Sequence, residues 1–381
     1  MKDVYIQRCA TYEKTEVCAA MNALVNDSGL LNFVKPDMTI GIKANLVSFM
    51  KPETAATTHP EVLSALCDLI VKRGAKCIIG DSPGGLYNAA FVGKVYDMTE
   101  MTSLEKQGVS LNKNYEQSSA HFDKALVAKT FQYTSWLDEC DAVINFCKLK
   151  THGMMSMSAA AKNMFGIIPG TVKPEYHFRF QNPEDFARMI IDLNEYVKPV
   201  LSICDAVVGM EGNGPTAGTP REIGCIIASE SPHKLDLVCA EIIGLDAKRV
   251  PTLAAAKERG LIDGGVSTLD TNADIEEFKV ADFNNIEEQK SILFKGNGSI
   301  LATVFSNIAK ASLSAKPVLE KTKCVGCAEC YKICPAKAIE MKDRKPQIDR
   351  KKCIKCFCCQ EFCPKGALKV KRPVIARILN K

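Results

Sequence analysis

Eight cysteines near the end of this chain stand at spacings that do recognisable chemistry. They form Cys324-x2-Cys327-x2-Cys330-x3-Cys334-Pro335 and, again, Cys353-x2-Cys356-x2-Cys359-x3-Cys363-Pro364. Three thiolates two residues apart can wrap three corners of a cubane iron–sulfur cluster, and the displaced cysteine before proline turns away to reach a second cluster. This spacing assigns Cys324, Cys327, Cys330 and Cys363 to one 4Fe–4S cluster. It assigns Cys353, Cys356, Cys359 and Cys334 to another.

The two runs are halves of an internal repeat. Lys316-Pro-Val-Leu aligns with Lys345-Pro-Gln-Ile, and Ala338-Ile339-Glu340 with Ala367-Leu368-Lys369. Each half reads as strand, cysteine loop, short helical turn and strand. So small a unit has too little apolar surface to fold alone, so bound clusters serve as its core. Paired Cys-x2-Cys also binds zinc, but the third cysteine and the Cys-Pro step favour iron–sulfur ligation. The stretch resembles the two-cluster bacterial-type ferredoxins, with every ligand position filled. Cys358 is surplus: the repeat sets it opposite Glu329, as a spare thiol beside a cluster.

A second set of polar residues lies far upstream, in four groups. These are Lys43 and Asn45; Asp81 and Ser82; Asn145, Lys148, Lys150 and His152; and Asp205 with Glu211 and Asn213. Each follows a short apolar run that reads as a strand. In open parallel sheets, ligands sit beyond the carboxyl ends of the strands, so strands pointing one way would bring these groups together. Lys43, Lys148, Lys150 and Lys162 would then make a strongly cationic site suited to a phosphate or carboxylate. Lysines so crowded repel one another unless an anion, or a carboxylate such as Asp81 or Glu211, balances them. The competing reading is ordinary solvated loop lysines.

The elements that must position these groups follow from the pattern. Strands are expected at Val4–Ile6, Met38–Ile42, Lys76–Ile79, Asp141–Ile144, Val200–Cys204 and Gly224–Ala228. Helices are expected over Thr15–Leu30, from His59-Pro60 to Gly74, over Ala90–Lys106, Ser156–Met164 and Pro183–Val197, and from Ser231-Pro232. The alternation predicts an α/β domain with a mainly parallel sheet and helices on both faces over residues 1–310. A linker at Asn307–Lys316 then leads to a small α+β ferredoxin-like domain over 316–370, with a basic tail at 371–381. The glycine-rich Gly209–Gly218 matches neither a dinucleotide fingerprint nor a P-loop.

These upstream residues carry a second resemblance. Lys43-Ala-Asn45, Thr58-His59-Pro60, Gly80-Asp81-Ser82-Pro83-Gly84, Asn145-x2-Lys148-x-Lys150-Thr151-His152, Ala161-Lys162-Asn163-x-Phe165-Gly166 and Asp205-x5-Glu211-Gly-Asn213-Gly-Pro215-x2-Gly218 fall in the order seen in the domain-of-unknown-function 362 family. The resemblance covers about Met1 to Lys310. Family members are often fused to a ferredoxin module. Cys147 departs from the family pattern, which has proline there. The resemblance supplies no reaction. It implies a site in which Lys148, Lys150, His152 and Lys162 are catalytic candidates and Lys43, Asn45, Asp81, Asn145, Asn163, Glu211 and Asn213 contact the ligand.

Composition sets the remaining bounds. Hydrophobic residues make up 46% and charged residues 24% of 381, as in ordinary globular proteins. The amino terminus lacks a signal-peptide hydrophobic stretch, and no run reaches a membrane span. Cubane clusters beside many free thiols point to a reducing cytoplasm, as in an anaerobe. The net charge of +5 hides an asymmetry. Lys321–Arg372 holds 15 Lys+Arg against 5 Asp+Glu, a balance of +10; Arg377 and Lys381 add two, so residues 1–320 sum to −7. A basic module suits an acidic redox partner. No aromatic stacking stripe accompanies the lysines, so nucleic acid is not an expected partner. Three functions compete: a redox enzyme acting on an anionic ligand, a non-enzymatic electron carrier, and a redox sensor. No flavin or nicotinamide fingerprint names a further cofactor.

Overall fold

The structure is a computed structural model that describes residues 1–285 and 315–371. Contacts divide the chain into two compact units, Met1–Asn285 and Ile286–Lys381. The boundary expected at 310, the linker before Lys316 and the tail beyond Lys371 lie outside the described residues.

The first unit is built on an eight-stranded sheet. Its strands are β1 (Tyr5–Arg8), β2 (Thr39–Lys43), β3 (Lys76–Gly80), β4 (Val109–Leu111), β7 (Ala142–His152), β8 (Ser156–Ser158), β9 (Leu201–Glu211) and β10 (Thr219–Ser229). A separate hairpin joins β5 (Gln117–His121) to β6 (Thr130–Thr134). The spatial order is β1-β10-β9-β7-β2-β3-β4, with β8 folded back on β7. Strands β9, β7, β2, β3 and β4 run parallel, while β10 and β8 are antiparallel to their neighbours. The sheet is therefore mainly parallel, as the alternation predicts.

Helices start where the sequence places a cap and a proline. In α2 (Pro60–Val71), α6 (Pro183–Val197) and α7 (Pro232–Ile242), the side chains of His59, Asn182 and Ser231 accept an orphan N–H of the first turn. Alternate strand residues serve the two faces. Ile40, Ile42, Ile144, Phe146, Ile203 and Val207 share one core with α1 (Lys14–Met21), α2 and α3 (Ala89–Met98). On the opposite face, α4 (Ala160–Asn163) and α7 pack on β7 and β9. There Trp136 lies across Gly41 and Gly80; a Cβ at Gly80 would meet its ring at 2.7 Å, so only glycine leaves room.

Several elements depart from their expected limits. The helix expected over Thr15–Leu30 widens into a π-helical turn at Asn22–Asp27. The helix expected over Ala90–Lys106 stops at Met98, because Glu100 takes a left-handed backbone before a 3-10 turn at Met101–Leu104. Ser156–Ser158 is strand rather than helix, and Ser156 also has a positive φ of 62°. Strands expected to end at Ile144 and Cys204 run on to His152 and Glu211.

Among the described residues, the second unit holds two short antiparallel pairs. β11 (Lys316–Leu319) pairs with β14 (Leu368–Lys371), and β12 (Ile339–Lys342) with β13 (Lys345–Ile348). Each pair joins the first strand of one repeat to the last strand of the other. One-turn helices α9 (Glu329–Lys332) and α10 (Cys358–Glu361) complete the two halves. Its core is small: Cys330, Ile339, Cys359 and Leu368, with Leu319, Cys334 and Ile348 against them.

Replacing Trp136 by Ala tests the sheet packing. The ring is fully buried, so its loss should cost about 3–5 kcal/mol in denaturant unfolding followed by circular dichroism. A cost below about 1 kcal/mol would mean that the ring does not pack as described.

Candidate functional site

Strands β2 and β7 deliver polar side chains to the same carboxyl edge, where the sequence reading expects crowded lysines balanced by an anion or by a carboxylate such as Asp81 or Glu211. Lys43, Lys148 and Lys150 are buried to 1% exposure. The Lys43 ammonium sits 2.6 Å from Asp81 Oδ1 and donates to Ala44 O at 2.7 Å. Asp81 in turn accepts the Leu46 N–H at 2.8 Å. Burial pulls the Lys43 ammonium below its ordinary pKa, and the Asp81 charge opposes that pull.

Asn163, at the end of α4, links this pair to its neighbours. Its Nδ2 donates to Asn145 Oδ1 at 2.8 Å and Lys43 O at 3.1 Å. Its Oδ1 accepts from Asn45 Nδ2 at 2.9 Å. Asn45 Oδ1 then accepts from Lys150 Nζ at 2.6 Å, and Lys150 also donates to Ala56 O at 2.6 Å. Asn145 Nδ2 donates to Ala160 O at 2.9 Å. The turn of α4 is held from beneath: Asp236 of α7 accepts the N–H groups of Ala160 and Ala161. Burial pushes the Asp236 carboxyl up to about 8, against those two hydrogen bonds.

Lys148 makes a second pair on the α2 side of the sheet. Its Nζ donates to Asp205 Oδ2 at 2.9 Å and to the Tyr12 hydroxyl at 2.6 Å. Tyr12 donates to Asp205 Oδ1 at 2.8 Å, and His59 N donates to Asp205 Oδ2 at 3.0 Å. The Tyr12 and His59 rings stack at 3.6 Å. Burial raises the Tyr12 phenol well above its usual pKa, and Asp205 adds to the rise. Burial lowers His59 to about 4, with Asp205 opposing and Lys148 reinforcing.

The structure thus joins Lys43, Asn45, Asp81, Asn145, Lys150 and Asn163 in one hydrogen-bonded network, and sets Lys148 in a neighbouring one. His152 serves the β7–β8 turn, its Nδ1 accepting from the N–H groups of Met154 and Met155. Lys162 is half-buried, its ammonium 5.8 Å from the centre of the Phe165 ring. The Gly209–Gly218 loop lies over the end of β7: Thr151 Oγ1 donates to Gly212 O and accepts from Gly214 N. Of the two carboxylates the sequence offers as balance, Asp81 meets Lys43, whereas Glu211 in this segment accepts from Asn284 N and Lys148 is met by Asp205. Half-buried Asn213 lies in the same loop. The sequence reading missed Tyr12, which lies outside any periodic segment. It saw Asp205 only as a strand end; the β7–β9 register, which sets Lys148 opposite Asp205, is what pairs them.

In the second unit, thiols from both runs line each of two recesses. One is lined by Cys324, Cys327, Cys330 and Cys363, with Leu319, Met341 and Leu368 around them. The other is lined by Cys334, Cys353, Cys356 and Cys359, joined by Cys358. Sulfurs of the two displaced cysteines accept matching backbone N–H groups: Ala338 to Cys334 and Ala367 to Cys363, each at 3.2 Å. Burial pushes the Cys330 thiol up to about 11, and Cys363 of the other run contributes next. A cubane needs four thiolates around one hollow with N–H donors to the sulfurs, and four such cysteines are among the residues lining each recess.

Comparison with known proteins covers both units. Residues 40–241 match the family model described as "Domain of unknown function (DUF362)". Residues 316–364 match a 4Fe-4S dicluster domain. The "Thylakoid-associated protein sll1697" of Synechocystis sp. (strain ATCC 27184 / PCC 6803 / Kazusa) is 32% identical over 269 residues, which is 68% of this chain and 80% of that protein. Among solved structures, the lactate racemase apoprotein from Thermoanaerobacterium thermosaccharolyticum aligns with a TM-score of 0.42 and 11% identity. That alignment covers 65% of this chain and 57% of the racemase, too distant a likeness to carry an argument.

Two expectations follow from the buried charges. Asp205→Asn leaves Lys148 buried without its carboxylate and should cost about 3–5 kcal/mol of stability. Adding Lys148→Met should recover most of that loss, and a double variant no better than the single would refute the pairing. The second expectation concerns acid. His59 and His233 are both lowered to about 4 by burial. The unfolded chain therefore takes up these protons first, from about pH 6.5. Stability is full above that pH and falls as pH drops towards 4, on the order of 2 kcal/mol at pH 5 for His233. Unfolding at pH 7 and pH 5 measures the loss; a His59→Gln/His233→Gln variant should flatten it, and an unchanged slope would place it on other groups.

Proposed function

We infer that this chain, which belongs to the DUF362 family and is an iron–sulfur protein with a 4Fe-4S dicluster domain, carries single electrons to a redox reaction on its N-terminal unit. The observation that carries the reading is the sharing of thiols between runs, three from one and the fourth from the other, around each hollow. Cys324, Cys327, Cys330 and Cys363 would hold cluster 1, and Cys353, Cys356, Cys359 and Cys334 cluster 2. Such clusters, when bound, supply one-electron chemistry. The chain's own residues fix the sulfurs, donate N–H groups to them and exclude water from around Cys356 and Cys359, both 8% exposed.

On the first unit, the proposed ligand is a small anion at the carboxyl edge of β2 and β7. Lys148, Lys150, His152 and Lys162 remain the catalytic candidates, with Lys43, Asn45, Asp81, Asn145, Asn163, Glu211 and Asn213 around the ligand. Support comes from the network that joins Lys43, Asn45, Asp81, Asn145, Lys150 and Asn163 at the ends of β2 and β7. A second reading, a ferredoxin-type carrier or redox sensor whose first unit only docks a partner, draws on the pairing of Lys43 with Asp81 and Lys148 with Asp205. Either role calls for a redox partner protein, and the basic charge of the second unit suits an acidic one. A reducing cytoplasm is the proposed setting. Among the described residues, no helix is long and apolar enough to cross a membrane.

Anaerobic purification should yield about eight iron and eight acid-labile sulfide per chain. Zinc with little sulfide would refute the cluster reading. Cys334→Ser should remove the spectral signals that Cys353→Ser removes, not those lost in Cys324→Ser; the reverse result would mean uncrossed ligation. Mass spectrometry of small molecules released from the purified protein addresses the ligand. An anion lost in Lys150→Met with iron content intact supports the enzyme reading, and none released from either protein supports the carrier.

A further inference from the structure

The two halves of the repeat are unequal at their surfaces. In the first run Val325 is 52% exposed, Cys327 is exposed, and Tyr331, one residue beyond Cys330 on α9, is 53% exposed. The repeat sets Ile354, Cys356 and Gln360 in the same places of the second run. There Ile354 is half-buried, and Cys356 and Gln360 are buried. Val325 and Cys327 both line the first recess. One cysteine of that recess therefore lies open to solvent, with two exposed apolar side chains close to it in the chain.

Cations stand around the same recess. The two-residue turn between β12 and β13, Asp343 and Arg344, has a left-handed backbone at both positions, which folds the strands back sharply. The turn packs on the first cysteine loop: a Cβ at Gly326 would lie 2.7 Å from Arg344 O. Arg344 Nη2 donates to Val325 O at 3.4 Å, and Lys345 Nζ donates to Cys324 O at 2.5 Å. Carbonyls rather than carboxylates hold these two groups, so their positive charge stays whole. Exposed Lys365 lines the recess directly. Glu329, also in the lining, is bridged to Lys332 at 2.8 Å.

Resting on the two-cluster reading above, we propose that the rim of the first recess is the docking surface for a separate, acidic one-electron redox protein, which exchanges electrons through cluster 1. Apolar side chains ringed by cations make a patch that buries well and steers an opposite charge. Electron tunnelling falls steeply with distance, so a partner seated on an exposed ligating cysteine has the shortest route. One electron passes between partner and cluster, reducing one and oxidising the other, and no bond forms or breaks.

The test uses the full chain, purified anaerobically, with an acidic flavodoxin as the probe partner and a basic c-type cytochrome as the control. Calorimetry measures binding, and iron, sulfide and redox titration report the clusters. The flavodoxin should bind the wild type at low salt and weaken as salt rises, and the cytochrome should not bind. Arg344→Glu/Lys365→Glu and, separately, Val325→Ser/Tyr331→Ser should each weaken flavodoxin binding about tenfold or more. Lys351→Glu/Lys352→Glu makes the same change of net charge on exposed residues of the second repeat, and should bind like the wild type. If the Arg344→Glu/Lys365→Glu variant loses iron, Val325→Ser/Tyr331→Ser decides alone. A flavodoxin that does not bind would overturn the proposal. So would equal weakening in Lys351→Glu/Lys352→Glu, which would leave only net charge, or shifted cluster midpoints with unchanged binding, which would give the cations to the cluster alone. Self-association of the wild type that Val325→Ser/Tyr331→Ser abolishes would give the patch to a second copy and overturn it too. Fewer than two clusters in the wild type would sink the two-cluster reading and this inference with it; two clusters with the wrong binding pattern sinks only this inference.

Discussion

A lysine ammonium carried into the interior of a sheet must be met there by carboxylate or by several oxygen atoms. Left alone it would lose its proton or the fold would not close over it. Three such lysines, Lys43, Lys148 and Lys150, sit at 1% exposure on two strands of this protein. Their partners come from elsewhere in the chain: Asp81 after β3, Asp205 on β9, Asn45 after β2 and the carbonyl of Ala56. Satisfying the three charges therefore fixes the mutual placement of β2, β3, β7 and β9. Asn163 adds α4 to the set, and Asp236 ties α4 back to α7. The glycines answer the same constraint: a Cβ at Gly166 would lie 2.4 Å from both Lys43 Nζ and Asp81 Oδ1.

The second unit meets the opposite problem. Among the described residues, the cluster at its centre is small, four buried residues with three half-buried neighbours, and thiols are part of it. Strands exchanged between the repeats place the displaced cysteine of each half against the three thiols of the other. The exchange makes each recess depend on both halves, because neither is complete until the two repeats have paired.

What could be read in the sequence follows from these two constraints. The cysteine spacing is local, so the repeat, its strands and the surplus of Cys358 were legible residue by residue. The helix starts at His59-Pro60, Pro183 and Ser231-Pro232 were legible for the same reason, since a cap and a proline act within one turn. Strand ends were not. Lys148 and Asp205 read as the polar close of apolar runs, yet each is buried because the other lies opposite it. A single sequence shows that two residues are charged, not that they neutralise each other across a ladder. Ser156 misled for a related reason: its run suits a helix, but β7 offers an antiparallel partner to Ser156–Ser158.

The two layers of the first unit's edge also rank its residues for contact with a ligand. Lys43, Asp81, Asn145, Lys148, Lys150 and Asn163 are sealed, bonded to one another, to backbone and to the side chains of Asn45, Tyr12 and Asp205. Burial pulls the Lys43 ammonium below its ordinary pKa. Its neighbour Gly166 closes over it and leaves no room for a side chain. Asn45, Tyr12, His59, Lys162 and Asn213 are half-buried in front of this layer. Asn45 is bonded to both Lys150 and Asn163. A ligand that competes for the Asn45 amide would loosen Lys150 and Asn163 together. A change at that one half-buried side chain can therefore reach the sealed charges without any of them first being exposed.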